Sequence, residues 1–252
     1  YLNLIRAFQT TLPDTALIAV FETGFHKTKP DCAAYYGVPY EWAGQYGIRK
    51  YGFHGASHSY ISYRIRQLTG AGDSGPLNVI SCHLGGSSSL CAIRDGVSID
   101  ATQGFSPQSG ITMGTRNGDL DVYALFHLMK KGMTPEQLDH ILYNESGLKG
   151  LSGIGEDVRD IEQAANEGNE RAKLALEVYC YDIKRYLGAY LAILGRTDAI
   201  VFTGGIGENS RHVREQALSG LQELGIRLDP ERNRANLPES VISTDDSPVK
   251  VY

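Results

Sequence analysis

Arg116 is hard to explain by packing, because it stands in the polar stretch MGTRNGD between two glycines. A planar guanidinium on such a loop suits a phosphate or a carboxylate, which it can bind through two parallel hydrogen bonds. The alternative is an exposed arginine that forms an ion pair with Asp119 or Asp121. Arg116 is therefore a candidate anion ligand, and such a site needs further donors.

Two glycine-rich stretches, HLGGSSS from His83 and FTGGIGEN from Phe202, could supply those donors. Each follows an apolar run that is typical of a buried strand. The second also precedes a predicted helix, whose first N–H groups lack intrahelical partners and favour anions. Plain strand-to-helix or Ser/Gly turns remain the alternative, since neither stretch is a P-loop or a proper GxGxxG motif.

Two histidines, His54 and His58, are four residues apart in YGFHGASH and would share one face of a helix. Zinc ligands use this spacing, but Gly55 between them and the lack of a nearby carboxylate argue against zinc. A neutral histidine that donates to a transferring phosphoryl group fits better. The alternative makes one of them a helix N-terminal partner and the other a satisfied core residue.

Glu22 stands in FETGFH, directly after the apolar run ALIAVF. A carboxylate at the end of a buried strand is well placed to hold Mg²⁺ or its water shell. The alternative is an edge-of-sheet glutamate that nearby backbone donors satisfy.

The elements that must position these residues follow from periodicity and turn residues. The dipeptide Asp95-Gly96 predicts a tight hairpin turn, and Thr134 with Gln137 resembles a capping box. The order of elements predicts an α/β fold with a mixed sheet flanked by helices, in one main domain over 16–252. The predicted strands are 16–21, 78–84, 89–94, 97–101, 198–203 and 241–244, and the predicted helices are 57–68, 119–131, one from 134, 156–167, 170–194 and 209–224, with an ordered loop over 28–45.

Composition excludes several classes of protein. The 252 residues carry a formal net charge of -5, which lacks the basic character of a nucleic-acid binder. No apolar run approaches the roughly 18 residues that span a bilayer. The scattered cysteines predict buried, reduced thiols in a cytoplasmic protein: Cys32, Cys82, Cys91 and Cys180. Because the chain starts at Tyr1 and ends in what resembles the start of a strand, we expect a segment of a longer protein.

Taken in order, the stretches resemble the acetate kinase family, which includes acetate, propionate and butyrate kinases. That family belongs to the superfamily of actin-like, sugar-kinase-like and Hsp70-like ATPases. Its pattern runs FDTAFH, YGFHGTSH, HLGNG, MGTRSGD and FTGGIGEN. This chain has FETGFH, YGFHGASH, HLGGSSS, MGTRNGD and FTGGIGEN, with the family-like SGLKGLSGIGEDVRD from Ser146.

The resemblance implies two duplicated RNase H-like domains with ATP in the cleft between them. This chain would be mainly the second, nucleotide-binding domain, with residues 1–15 ending the first domain or connecting to it. The implied reaction is reversible transfer of the γ-phosphoryl group of ATP to a short-chain carboxylate, with acetate the first candidate. The resemblance also implies Mg²⁺, a homodimer for which Glu170–Leu194 is a candidate surface, and an inactive isolated segment.

Roles carry over by position from the family pattern. Arg116 and His54 would be catalytic, and Glu22 would associate with Mg²⁺. The phosphate loop would comprise His83, Gly85, Gly86 and Ser87. The remaining nucleotide contacts would be Asp157, Arg159, Gly205, Ile206 and Asn209.

Two positions depart from the family pattern. Glu22 replaces an Asp, which places the carboxylate about one methylene farther out, and Gly86 replaces an Asn, which removes a side-chain amide. A non-catalytic nucleotide sensor and a sugar or polyol kinase are the alternative functions. The latter needs an Asp general base, which no stretch clearly supplies.

Overall fold

A five-stranded mixed sheet forms the centre of the computed structural model, which describes residues 2–72 and 75–252. The strand order is β3-β2-β1-β4-β5. The first three strands form an antiparallel meander, β4 pairs in parallel with β1, and β5 pairs in parallel with β4. This arrangement confirms the predicted α/β class with a mixed sheet. The strands are β1 Asn78–Leu84, β2 Ser88–Arg94, β3 Val97–Ala101, β4 Ala199–Thr203 and β5 Lys250–Val251.

Helices cover both faces of this sheet. The predicted helix over 170–194 has the same bounds in the structure, and Thr134 forms the complete capping box with Gln137. The helices are α1 Leu2–Thr11, α2 Asp31–Ala34, α3 Trp42–Gln45, α4 Gly55–Thr69, α5 Val122–Lys130, α6 Pro135–Asn144, α7 Gly147–Ser152, α8 Val158–Asn166, α9 Glu170–Leu194, α10 Gly204–Asn209, α11 Arg211–Leu218 and α12 Pro230–Ala235. Short 3₁₀ helices occupy Gly24–Thr28 and Gln222–Leu224.

The core has two layers because successive strand residues point to opposite faces of the sheet. Ile80 and Cys82 of β1 belong to the larger apolar cluster, which contains the buried face of α9. Val79 belongs to the second cluster, together with Ile61 and Ile65 of α4. The sheet is thus covered on both sides, and the parallel strands β1 and β4 are almost wholly buried.

The predicted hairpin turn is confirmed. Asp95 and Gly96 both have positive φ angles, 50° and 93°, the combination that a two-residue turn with the twist of a hairpin requires.

The prediction of a buried strand over 16–21 is wrong. The segment is not a strand, and Ile18 and Phe21 are 85% and 74% exposed. The residue types favour a strand, but a strand also needs a hydrogen-bonding neighbour. The described sheet ends at β3 and β5, and neither pairs with this segment.

Four other predictions need correction. The helix over 209–224 is interrupted at Ser210, which ends α10 and caps α11 by accepting from Val213 N–H. Residues 241–244 form one isolated bridge, between Leu228 and Ser243, and the last strand is instead β5. Cys32 is exposed, whereas the other three thiols are buried as predicted. The predicted loop over 28–45 contains two single-turn helices.

None of the helices in the described ranges combines the length and the apolar character that a membrane crossing requires.

Candidate active site

The two glycine-rich stretches start at the same edge of the sheet. β1 and β4 are parallel neighbours, with His83 opposite Thr203 in the register. Gly204 follows Thr203 with a φ of +80°, and a Cβ there would lie 2.6 Å from the Leu84 carbonyl oxygen. Parallel neighbouring strands thus bring the two loops together at their carboxyl ends, where ligands bind in open α/β sheets.

The loop that carries Arg116 lies against the first of these loops. Gly114 N–H donates to the Gly86 carbonyl at 3.0 Å. A Cβ on Gly114 would lie 3.1 Å from that carbonyl and from the Glu156 side chain. The loop is closed by a hydrogen bond from Met113 N–H to the Arg116 carbonyl. The three stretches singled out by sequence therefore meet at one end of the sheet.

Arg116 makes no ion pair with a described carboxylate. Its Nη1 donates to the Pro107 carbonyl at 2.6 Å, and the guanidinium lies 5.2 Å from the Tyr143 ring centroid. Asp119 pairs with Arg185 instead, and Asp121 caps α5. The half-buried guanidinium is left with its positive charge available, which fits an anion ligand better than the ion-pair alternative.

His54 occupies a strained position at the start of α4, with φ 54° and ψ 28°. Non-glycine residues adopt this left-handed region rarely, and it is most common at functional sites. Burial lowers the pKa of His54 to about 3, and the positive charges of His83 and Arg116 add to that effect. His54 is therefore neutral at pH 7 and lies close to Arg116.

His83 is the second-last residue of β1, beside His54, and joins the end of that strand to α4, since its Nδ1 bonds the Ser57 hydroxyl at 2.8 Å. Burial lowers its pKa, and the carboxylates of Glu22 and Glu208 act in the opposite direction. Both carboxylates thus lie near the His83 ring. Glu22 is also tied to α4, because Gly55 N–H donates to its carbonyl at 2.9 Å.

The carboxylates of Glu22 and Glu208 are candidate ligands for Mg²⁺. Within residues 2–72 and 75–252, no group of three or more His, Cys, Asp or Glu side chains is arranged to hold a metal ion. Mg²⁺ commonly uses only one or two carboxylates, with waters and substrate phosphates completing its shell. Glu22 and Glu208, which both lie near His83, fit that donor set.

His58 does not point into the site. It is fully buried and hydrogen-bonded to Ser81 and Ser89, at 2.9 and 2.8 Å. This agrees with the interpretation of His58 as a satisfied core residue.

Asp157 and Arg159 lie at the N-terminus of α8, and their side chains pair with each other at 2.6 Å. Hydrogen bonds from Arg159 lower the pKa of Asp157 to about 2. The side chain of the preceding residue, Glu156, lies 3.1 Å from where a Cβ on Gly114 would stand, so this turn adjoins the loop that carries Arg116.

Gly205, Ile206 and Asn209 lie on α10, where the Asn209 amide donates to the Gly205 carbonyl at 2.8 Å. Buried Arg214 stabilises α10, because it donates to the carbonyls of Gly207 and Glu208 at 2.9 and 2.8 Å.

Two further residues were missed by the sequence analysis. Gln103 is fully buried, and its amide donates to Ser87 Oγ at 3.3 Å and to the Pro107 carbonyl at 3.2 Å. It joins the phosphate loop to the carbonyl that holds Arg116, yet it lies outside every motif. Glu208 was within FTGGIGEN, and its carboxylate was the signal that could have identified it.

Comparison with known proteins gives a consistent result. The family model described as the acetokinase family matches residues 1–252. Acetate kinase from Clostridium botulinum (strain Hall) is 49% identical over 249 residues, which cover 98% of this chain and 62% of the relative. Acetate kinase from Geobacillus kaustophilus is 49% identical over 248 residues, with the same coverage.

Solved structures agree. Porphyromonas gingivalis acetate kinase superposes with a TM-score of 0.94 at 39% identity, covering 99% of this chain and 63% of that one. A Francisella tularensis propionate kinase superposes with a TM-score of 0.93 at 36% identity, covering 99% and 64%. The chain spans about 62% of the length of the curated relatives it matches. With the converging loops, these matches show that the chain belongs to the acetokinase family.

Proposed function

We propose that the protein containing this chain transfers the γ-phosphoryl group of ATP to a short-chain carboxylate, with acetate the first candidate. The observation that carries the proposal is the contact of the Arg116 loop with the Gly86 loop, beside the loop at Gly204. Among the described residues the Arg116 guanidinium has no carboxylate partner, and its loop lies against the Gly86 loop, whose backbone N–H groups are candidate donors. Such a site suits phosphate.

The chemistry needs little from the protein beyond placement and charge. A carboxylate oxygen attacks the γ-phosphorus, and the bond from that phosphorus to the bridging oxygen of ADP breaks. The products are an acyl phosphate and ADP, and the reverse step regenerates ATP. Because a carboxylate is already a nucleophile, no general base is required, and catalysis depends on stabilising charge in a loose transition state.

Arg116 and neutral His54 are the proposed catalytic residues. Arg116 would neutralise charge on the equatorial oxygens, and His54 would donate a hydrogen bond to one of them. Bound Mg²⁺ would neutralise charge on the phosphates, and Glu22 with Glu208 would hold it.

The nucleotide would extend from this point along the two glycine loops. His83, Gly85, Gly86 and Ser87 would surround its phosphates. Asp157 and Arg159, at the start of α8, would contact the adenine and ribose, and the nucleotide-contacting turn would comprise Gly205, Ile206 and Asn209 of α10.

The domain organisation, assembly and location are also proposals that the family supports. Residues 16–252 would form the nucleotide-binding domain and 1–15 the connection to a first domain. The protein would be a cytoplasmic homodimer. Light scattering of the full-length protein would test the dimer.

Arg116→Ala in the full-length protein tests the function. We expect acyl phosphate formation from acetate and Mg-ATP to fall by about two to three orders of magnitude, as loss of one donor to a developing charge typically costs. Arg94→Ala is the matched control, since Arg94 lies at the far end of β2 and is exposed. Glycerol, propionate and butyrate identify the acceptor class.

Tight ATP binding with no transfer to any carboxylate would favour the sensor alternative. Transfer to glycerol, but not to acetate, propionate or butyrate, would favour the polyol kinase.

A further inference from the structure

A chain of hydrogen bonds runs from the middle of β1 to the proposed catalytic His54. Ser81 Oγ lies 2.9 Å from His58 Nδ1, and His58 Nε2 lies 2.8 Å from Ser89 Oγ. Ser89 Oγ also lies 2.8 Å from His54 Nδ1. Ser81, His58 and Ser89 are fully buried. The chain joins three elements, β1, α4 and β2.

The number of available hydrogens allows only one direction of donation along this series of hydrogen bonds. A neutral imidazole donates from one nitrogen and accepts at the other, and a hydroxyl has one hydrogen to donate. Among the described residues, Ser81 Oγ has no side-chain or backbone partner except His58 Nδ1. A buried hydroxyl without an acceptor is costly, so Ser81 donates to His58 Nδ1.

The remaining positions follow from that first one. Because His58 accepts at Nδ1, it carries its proton on Nε2 and donates to Ser89 Oγ. The Ser89 hydrogen has one acceptor left within the described part of the chain, which is His54 Nδ1. His54 therefore carries its proton on Nε2. The opposite direction would leave the Ser81 hydrogen buried without an acceptor.

A histidine ring has a defined tautomer only when it is neutral, and the surroundings of His54 and His58 keep both rings neutral. The groups that face His54 are all basic, namely His26, His83 and Arg116, and burial adds to their effect. Burial also lowers the pKa of His58 well below its ordinary value. A proton on His54 would be repelled by the positive charge of Arg116, and a proton on His58 would be fully buried.

A second, shorter series of hydrogen bonds fixes the backbone at His54. The Phe53 carbonyl can only accept, so His26 Nε2 donates to it at 2.8 Å, and His26 Nδ1 accepts from the Ser98 hydroxyl at 2.9 Å. His26 thereby holds the peptide that precedes His54 in its left-handed conformation.

We propose that Ser81, His58 and Ser89 are positioning residues that fix His54 as its Nε2–H tautomer, so that it always presents a donor to the transferring phosphoryl group. The tautomer assignment stands on the hydrogen bonds of the neutral rings. Its use in catalysis rests on the proposed function. The wrong tautomer would direct an acceptor lone pair at phosphate oxygens and repel them.

Long-range ¹H–¹⁵N spectra of the full-length protein, labelled at histidine, read each tautomer directly. The His54 signals are assigned by their loss in His54→Asn. We expect a protonated Nε2 and an unprotonated Nδ1 for His54 at pH 7. A protonated Nδ1, or a mixture of tautomers, in the unmodified protein would overturn the proposal without any activity measurement.

Ser89→Ala and Ser89→Thr form the matched pair of variants. Ser89→Ala should convert His54 to a mixture of tautomers. It should lower kcat about 10- to 100-fold, because the loss of a hydrogen-bond partner of a functional histidine typically costs that much activity. KM for ATP should change little. Ser89→Thr keeps the hydroxyl and should retain the tautomer and most of kcat.

Ser62→Ala controls for the loss of any buried hydroxyl, because Ser62 lies on α4 and bonds only the Gly96 carbonyl among the described residues. It should leave both the spectrum and kcat unchanged. An unchanged His54 tautomer in Ser89→Ala would contradict the proposal. The Nε2–H tautomer in a protein that transfers no phosphoryl group would support this inference and remove the proposed function.

Discussion

The rings of His54 and His83 are stacked, with centroids 4.2 Å apart and planes inclined by 29°. His54 lies at the N-terminus of α4 and His83 lies near the end of β1, so the contact joins a helix N-terminus to the end of a central strand. Stacked imidazoles 4.2 Å apart cannot both be protonated at low cost. The pair therefore favours a neutral His54, which donates a hydrogen bond without adding charge.

The buried histidines should make stability depend on pH. Burial lowers the pKa of His26 to about 4 and that of His54 to about 3, from an ordinary value of 6.5. Between about pH 6.5 and 4 the unfolded chain binds protons that the folded chain does not. The free energy of unfolding should therefore fall as pH falls through this window, by about 1.4 kcal/mol per pH unit for each such ring.

Urea unfolding of the full-length protein at several pH values measures this slope. The groups near these rings are Lys29, His58, His83 and Arg116, and the positive charges of Lys29 and Arg116 reinforce the effect. His54→Asn should reduce the slope by about one proton, whereas His127→Asn, at an exposed residue, should not. A free energy of unfolding that is constant from pH 7 to 4.5 would contradict the assignment of neutral buried rings.

Gly204 and Gly205 are adjacent, yet replacement by alanine should lower the free energy of unfolding only at Gly204. Gly204 has a φ of +80° and no room for a Cβ beside the Leu84 carbonyl, whereas a Cβ on Gly205 meets nothing within 4 Å. Gly204→Ala should lower the free energy of unfolding by about 1 to 3 kcal/mol, and Gly205→Ala should leave it nearly unchanged. Thermal unfolding of the two variants side by side is the measurement. Equal unfolding temperatures would show that the turn is not built as described.

Gly86 stands where the family pattern has Asn, and the structure has room for that side chain. A Cβ at Gly86 would meet nothing within 4 Å, and the φ angle does not require glycine. Gly86→Asn should fold normally and lower KM for ATP about 10-fold or more, because one added hydrogen bond to a charged group contributes about 1.5 kcal/mol or more. Gly86→Ala separates the effect of the amide from that of the Cβ. Equal KM values for the Asn and Ala variants would show that the amide does not reach the nucleotide.

Arg214 should be essential for the loop at α10 although it is absent from every motif. It is 3% exposed and donates to Gly207, Glu208, Asn233 and Asn236. Arg214→Met should cost on the order of 3 kcal/mol in the free energy of unfolding, since several buried carbonyls lose their donor. It should also weaken ATP binding, measured by calorimetry.

The control for Arg214 is Arg211→Met, on the exposed side of the same helix. Its stability should change by less than about 0.5 kcal/mol. A similar loss of stability in both variants would argue against a specific role for Arg214.

The sequence alone predicted the elements whose determinants are local. The helix α9, the capping box at Thr134 and the turn at Asp95-Gly96 each depend on residues within a few positions of one another, through periodicity, capping or φ preference. Local patterns failed at 16–21, where the residue types favour a strand but hydrogen bonds to another strand decide.

The sequence also determined which residue types could bind phosphate, because a guanidinium, neutral imidazoles and glycine turns have fixed chemistry. The tertiary structure decided which of them meet. The contact of Gly114 with Gly86 and the stacking of His54 on His83 join residues 28 and 29 positions apart. The stacking follows from the packing of α4 against β1, and the parallel pairing of β1 with β4 brings the Gly204 loop to the same edge of the sheet. The proton on His54 is likewise set by Ser81 and Ser89, and spacing along the chain could not predict a partner that only packing brings into hydrogen-bond distance.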